Sequence, residues 1–187
     1  MRPRVEPQQD PLTTVTFNRA IAEHAEGLKT YAARMLGDQM LAEDIAQDAF
    51  LALYRHLHEV PAAAFRPWLY RVTRNLCLDQ LRRRKFKLRL FGDLAKDDET
   101  QPTHVDRSSD RPDQVAETRE AHAAIDKAIA ALPAKFRDTF MLCEVQGLSY
   151  EDASAVLKIP VKTVSTRLFR ARMRRMLPTI CSTNSAC

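Results

Sequence analysis

Residues 148–172, LSYEDASAVLKIPVKTVSTRLFRAR, follow the pattern of a short helix, a tight turn and a longer basic helix. Ser149 is placed to cap the first helix, and Asp152 three residues later completes a capping box. Lys158-Ile-Pro160 forms the connection, and the second helix is predicted over 161–177. This arrangement is typical of the helix-turn-helix motif.

The second of these helices carries six basic side chains and no acidic one. Its helical phase places four apolar residues on one face, which we expect to pack on the domain: Val161, Val164, Leu168 and Ala171. The opposite face and its flanks offer cations, hydroxyls and an aromatic ring, the chemistry that binds phosphates and base edges in a major groove. The predicted DNA-contacting residues are Lys162, Thr163, Ser165, Thr166, Arg167, Phe169, Arg170 and Arg174. A solvated basic helix that only favours its own dipole stays open as an alternative.

The composition favours an all-α chain. Only 4 of the 187 residues are glycine, so glycine-rich phosphate loops and β-barrels are disfavoured. Apolar residues make up 45% of the chain and charged residues 28%, which is enough to bury a core. We therefore predict a helical protein.

The charges are unevenly distributed, although the net charge is only +5. Residues 17–86 carry a net charge of +3 and residues 118–177 one of +5, whereas residues 87–117 carry −3 and two prolines. Since a loop of roughly 30 residues is unusual inside one compact domain, we predict two small helical domains joined by a flexible acidic linker. The predicted divisions are a disordered arm over 1–16, a first domain over 17–86, a linker over 87–117, a second domain over 118–178 and a flexible tail over 179–187.

Helical spacing of apolar residues and the positions of glycine and proline divide both domains into helices. Gly37, for example, is a suitable C-cap for the first of them. The predicted helices cover 17–36, 39–57, 66–85, 115–132, 134–146, 149–157 and 161–177.

No catalytic constellation is visible in the sequence, because the five histidines lack metal-ligand spacing and there is no Ser/His/Asp set. We predict no enzyme activity, no cofactor and no metal.

The sequence shows no signal peptide and no apolar run of spanning length, so we expect a cytoplasmic location. Cys77 and Cys143 lie in apolar runs and are predicted to be buried thiols. Cys181 and Cys187 lie in the polar tail, where a thiol- or metal-responsive role stays open.

Three stretches together resemble one known family, the bacterial RNA polymerase sigma factors of the extracytoplasmic function (ECF) class. Residues 41–51, LAEDIAQDAFL, are similar to the segment that binds core polymerase. Residues 65–75, FRPWLYRVTRN, continuing to Arg84, are similar to the segment that melts and reads the −10 promoter element. Residues 148–172 are similar to the helix-turn-helix that reads the −35 element. Lys158 and Lys162 depart from the pattern, since family members often carry glycine at both positions.

The resemblance implies partners and site residues. The partners would be core RNA polymerase, through its largest-subunit clamp and its flap, promoter DNA and an anti-sigma factor. The implied polymerase-binding residues are Asp44, Gln47, Asp48, Phe50 and Leu51, and the implied −10 residues are Arg66, Arg71, Arg74, Asn75, Arg82 and Arg83. The basic-helix residues given above would read the −35 element. The loop over 58–65 would hold a base flipped from the non-template strand.

Several alternatives stay open at this stage. The acidic side of the helix over 39–57 could be an ordinary solvated face. Trp68 and Tyr70 could contact DNA or lie in the core, and Trp68 is expected in the core because it begins an apolar stripe. The chain as a whole could be a stand-alone helix-turn-helix regulator, which would bind paired half-sites without polymerase.

Overall fold

The computed structural model describes residues 11–91 and 125–182, and these residues form helices and turns without any strand. The predicted all-α class is therefore confirmed. The chain divides into two compact units, Met1–Ala32 with Gln39–Lys96 and Ala33–Asp38 with Asp97–Cys187. The predictions made for residues 1–10, 92–124 and 183–187 lie outside the described residues.

The first unit is built on three helices. They are α1 (Pro11–Leu36), α2 (Gln39–Arg55) and α3 (Phe65–Phe91), with a short 3₁₀ turn over Ala62–Ala64 ahead of α3. The last residues of α1 belong to the second unit. Gly37 ends α1 with a φ of 68°, and its N–H donates to the carbonyl of Ala33 at 2.7 Å, so the predicted C-cap is confirmed.

Apolar side chains at helical spacing form the core of the first unit. The predicted stripe of α2 is buried, including Ile45 and Leu53. Tyr31 and Tyr70 meet edge to face with ring centroids 5.6 Å apart, a favoured arrangement for aromatic pairs. Burial raises the pKa of Tyr70 to about 12, with the charge of Arg66 opposing this shift. Tyr70 is thus a core residue.

The second unit contains four helices within its described part. They are α4 (125–130), α5 (Ala134–Phe140), α6 (Tyr150–Leu157) and α7 (Val161–Ser182), and a π-helical turn over Met141–Val145 continues α5. Arg137 joins the first two, since its Nη2 donates to the carbonyls of Ala130 at 2.6 Å and Leu132 at 3.1 Å. These bonds satisfy carbonyls at the end of α4 that have no partner within the helix.

Helix boundaries differ from the predictions at four places. Helix α1 begins six residues early at Pro11, because proline is well suited to the first helical turn. Helix α3 continues to Phe91 through residues assigned to the linker, because 86–91 contain good helix formers and neither glycine nor proline. The helix predicted over 134–146 changes to a π-turn at Met141. Helix α7 reaches Ser182, five residues past the predicted end, and includes Pro178, which cannot donate a backbone hydrogen bond.

No helix in 11–91 or 125–182 has the length and apolar character needed to cross a membrane.

Candidate nucleic-acid interface

Local hydrogen bonds form at both ends of α6. The Ser149 hydroxyl accepts from the N–H of Asp152 at 3.0 Å, which confirms the predicted N-cap. Lys158 follows α6 in the left-handed region, with φ 54° and ψ 47°. The Ser154 hydroxyl then donates to the carbonyl of Ile159 at 2.5 Å. The connection from α6 to α7 is therefore stabilised by a side chain of α6 itself.

Helix α7 separates a packed face from an open one. Val164, Leu168 and Ala171 are buried as predicted. Val161 is not, because it lies in the first turn and remains 38% exposed. The open face brings the predicted DNA residues together along one helix: Lys162, Ser165, Thr166, Phe169, Arg170 and Arg174 are exposed, and Thr163 and Arg167 are half-buried.

Two features of the open face bear on DNA contact. Phe169 is 60% exposed, so its ring is available to the sugars or bases of a bound duplex. The Thr166 hydroxyl donates to the carbonyl of Lys162 at 2.9 Å, and its lone pairs remain free to accept a hydrogen bond.

A shallow basic groove of about 550 Å³ lies beside this face, between the start of α5 and the later turns of α7. The ring of Phe136 lies in it, with Lys135 Nζ at 5.1 Å and the Arg174 guanidinium at 5.3 Å from the ring centroid. Sequence reasoning missed Lys135, which also lines the groove. Lys135 is on a different helix from the motif, and only packing brings it there.

The acidic face of α2 is exposed, as its predicted role requires. Asp44, Gln47, Asp48 and Leu51 are all exposed, and Leu51 retains 52% of its surface. Phe50 does not share this surface: it is 7% exposed and meets the ring of Phe17 with centroids 6.4 Å apart. Phe50 therefore packs α2 against α1 and is not available to a partner.

Met40 extends the same face and was missed from the sequence. It is 81% exposed, and spacings of four, seven and eleven residues place it in line with Asp44, Gln47 and Leu51. The spacing of Met40 from these residues can be seen in the sequence. Helical spacing alone, however, does not show whether a methionine is exposed or lies in the core.

Helix α3 presents cations on several sides. Arg66, Arg71, Asn75, Arg82 and Arg83 are exposed, and Arg74 is half-buried. By helical phase, Arg71, Asn75 and Arg82 fall within about 40° of one another, whereas Arg66 lies on the far side of the helix. The predicted −10 residues are thus not all on one face. Arg82 also pairs with Asp79 at 2.9 Å.

The loop before α3 borders Trp68. The His56 ring lies 6.0 Å from that of Trp68, and His56 Nδ1 is 3.0 Å from a carboxylate oxygen of Glu59. Trp68 is half-buried. Part of its indole therefore packs in the core, as expected, and the rest is exposed beside the loop. Cys77 is buried as predicted, whereas Cys143 is only half-buried.

The second unit carries a capped helix-turn-helix with a basic open face, and the first unit carries an acidic and a basic helix face. This combination is typical of a DNA-binding protein that acts in transcription. Comparisons with known proteins agree with this class. Residues 20–87 match the family model of sigma-70 region 2, and residues 122–174 match that of sigma-70 region 4.

Similar proteins narrow the class. The chain is 31% identical to ECF RNA polymerase sigma factor SigE of Mycolicibacterium smegmatis over 91% of this chain and 68% of that protein. It is 33% identical to ECF RNA polymerase sigma factor SigW of Bacillus subtilis, covering 74% and 75%. A solved structure of sigma factor RpoE with anti-sigma factor NepR from Bartonella quintana shares the fold, with a TM-score of 0.66 at 22% identity over 86% of this chain and 94% of that one. This chain belongs to the ECF family of sigma factors, which direct core RNA polymerase to promoters.

Proposed function

We propose that this sigma factor uses three helix faces, one to bind core RNA polymerase and two to bind promoter DNA. The exposed acidic face of α2 docks on core RNA polymerase, with Leu51 as an apolar anchor inside a ring of charge. The Arg71–Asn75–Arg82 face of α3 contacts the −10 element. The open face of α7 contacts the −35 element.

The observation that carries the DNA-binding part is the open face of α7. Most of its cations and hydroxyls are exposed, its apolar face is buried, and the hydrogen bond from Ser154 to Ile159 stabilises the turn before it. Such a helix can enter a major groove without unfolding any part of its own domain.

The protein is proposed to carry no catalytic group of its own and to act in the cytoplasm. Within the described residues there is no group of three or more His, Cys, Asp or Glu side chains that could hold a metal ion. Phosphodiester bond formation would then belong entirely to the polymerase.

We further propose control by an anti-sigma factor. Support comes from two similar solved structures, RpoE with NepR and CnrH with the cytosolic domain of CnrY. The CnrH structure has a TM-score of 0.61 at 21% identity. A thiol response at Cys181 and Cys187 remains a separate prediction, tested by changing both to serine and measuring transcription with and without oxidant.

The decisive experiment is run-off transcription with purified bacterial core polymerase on genomic promoter fragments. Initiation at discrete sites only when the chain is added, with weak duplex binding by the chain alone, is the expected result. Arg170→Ala should reduce initiation at these sites, and Arg19→Ala, on an exposed part of α1, serves as the control. Tight duplex binding without initiation would favour the stand-alone regulator.

A further inference from the structure

Helix α3 extends past the part of the chain that matches sigma-70 region 2. That match ends at residue 87, whereas α3 continues to Phe91. We call residues 85–91, KFKLRLF, the α3 extension. It contains Lys85, Lys87 and Arg89, and no acidic residue occurs between Gln80 and Phe91.

The α3 extension continues the face that carries the proposed −10 contacts. At about 100° per residue, Arg89 returns to the phase of Arg71 after five full turns. Arg71, Asn75, Arg82 and Arg89 therefore form one stripe along the helix. The rise of about 1.5 Å per residue carries this stripe about 21 Å beyond Asn75, the length of roughly six base pairs.

Large apolar side chains alternate with the cations of the extension. Phe86, Leu88 and Leu90 are 64%, 63% and 61% exposed. Cations that take phosphates, interleaved with side chains that rest on sugars and base faces, are the chemistry of a nucleic-acid track. A membrane surface fits less well, because Leu88 lies about 160° around the helix from both Phe86 and Leu90, and a bilayer takes apolar groups from one face only.

We infer that the α3 extension binds the DNA backbone about six base pairs from the bases that Asn75 contacts, with Lys85 and Arg89, which lie about 40° apart on the helix, on the phosphates. This inference rests on the proposed function, because it takes the Arg71–Asn75–Arg82 face as the −10 contact. Charge complementarity and continuity with that face identify DNA as the occupant.

The test uses the full chain with core polymerase on a promoter fragment that supports initiation. The binding constant is measured at several salt concentrations for wild type and for the double variant Lys85→Gln, Arg89→Gln. Glutamine retains helix propensity, and circular dichroism checks that the helix content is unchanged. Losing two phosphate contacts should reduce the slope of log K against log salt by about 1.8.

The matched control is Arg19→Gln with Lys127→Gln, which changes the net charge equally at exposed sites on α1 and α4. Its slope should equal that of wild type. Hydroxyl-radical footprinting should show that the Lys85, Arg89 variant loses protection about six base pairs from the −10 contacts and retains it elsewhere.

Three outcomes would overturn the inference. One is an unchanged slope and footprint in the double variant. A second is loss of binding to core polymerase in the absence of DNA, which would make the extension a protein contact. A third is wild-type binding to phosphatidylglycerol vesicles that the double variant loses. Failure of wild type to initiate at all would instead refute the proposed function.

Discussion

Arg172 on α7 donates a hydrogen bond to Glu144 in the π-turn, from Nη2 to Oε1 at 2.5 Å, across 28 residues of chain. The hydrogen bond and the charge of Glu144 raise the pKa of Arg172 above its ordinary value. By helical phase, Arg172 lies about 100° from Met173 and about 80° from Lys162, and both of these residues are on the open face of α7. The hydrogen bond between Arg172 and Glu144 therefore ties α7 to the π-turn from beside that open face. The pair orients the helix and leaves the open face to DNA.

Glu144→Gln should lower the Tm of the chain at low salt, because it removes the charge partner of Arg172. The side chains are 51% and 34% exposed, so salt screens the pair, and the difference from wild type should disappear near 1 M salt. Thermal melts followed by circular dichroism measure this, with Glu26→Gln on α1 as the control. A shift of equal size at both salt concentrations would show that the effect is not electrostatic.

Cys143 should react slowly with alkylating reagents. Burial raises the pKa of its thiol to about 11, with the charge of Glu144 adding to the shift and Arg172 opposing it. Since the thiolate is the nucleophile, its fraction at pH 8 is on the order of 100-fold below that of a thiol at the ordinary value. Glu144→Gln should lower the pKa and speed the reaction. Peptide mass spectrometry after timed alkylation measures the rate at this cysteine.

The same shift has a consequence for stability. A thiol whose pKa is raised in the folded chain, from 9.0 to about 11, stabilises the fold fully below pH 9. This contribution is lost as the pH rises from about 9 to 11, because the unfolded chain ionises first. Cys143→Ala should remove that part of the pH dependence, which urea unfolding at pH 8 and pH 10 can measure.

Lys158→Gly should stabilise the helix-turn-helix. Lys158 has a φ of 54°, a region that costs a residue with a Cβ about 1–2 kcal/mol and costs glycine much less. Glycine also loses more entropy on folding, so the expected net gain is up to about 1 kcal/mol. Lys158→Ala keeps the Cβ and is the control, expected to show no gain. Denaturant unfolding measures both.

Met40→Ala and Leu51→Ala should each weaken binding to core polymerase. Both are exposed apolar side chains on the acidic face of α2, and truncating such an anchor costs about 1 kcal/mol, or about fivefold in Kd. Val15→Ala, which truncates an exposed apolar residue on α1, should leave the Kd unchanged. Fluorescence titration of labelled chain with core polymerase measures all three. Equal weakening by Val15→Ala would show a nonspecific apolar effect.

Thr166 should accept, not donate, a hydrogen bond in the major groove. Its hydroxyl proton is used on the carbonyl of Lys162, so its base partner should be an amino group of adenine or cytosine. Thr166→Val should lose about 1–3 kcal/mol of discrimination at one base pair, whereas Thr166→Ser should retain it. Transcription from a set of single-base −35 variants measures the preference. Unchanged preference in Thr166→Val would exclude a base contact.

Local patterns made most of the helices predictable. The α2 stripe, the Gly37 cap and the Ser149 cap each depend on residues within one or two turns of one another, so spacing alone reveals them. The open face of α7 was predictable for the same reason. The start of α1 and the end of α3 were not, because no glycine or proline lies at residue 17 or residue 85, where these helices were predicted to begin and to end.

The sequence by itself determined the family, the order of the helices and the identity of the basic and acidic faces, because each is written in neighbouring residues. Tertiary structure decided which side chains on those faces are available. It buried Phe50 against Phe17, left Met40 exposed, and brought Lys135 beside Arg174 and Glu144 beside Arg172. These outcomes depend on how separate helices pack, and helical periodicity specifies a face without specifying what will cover it.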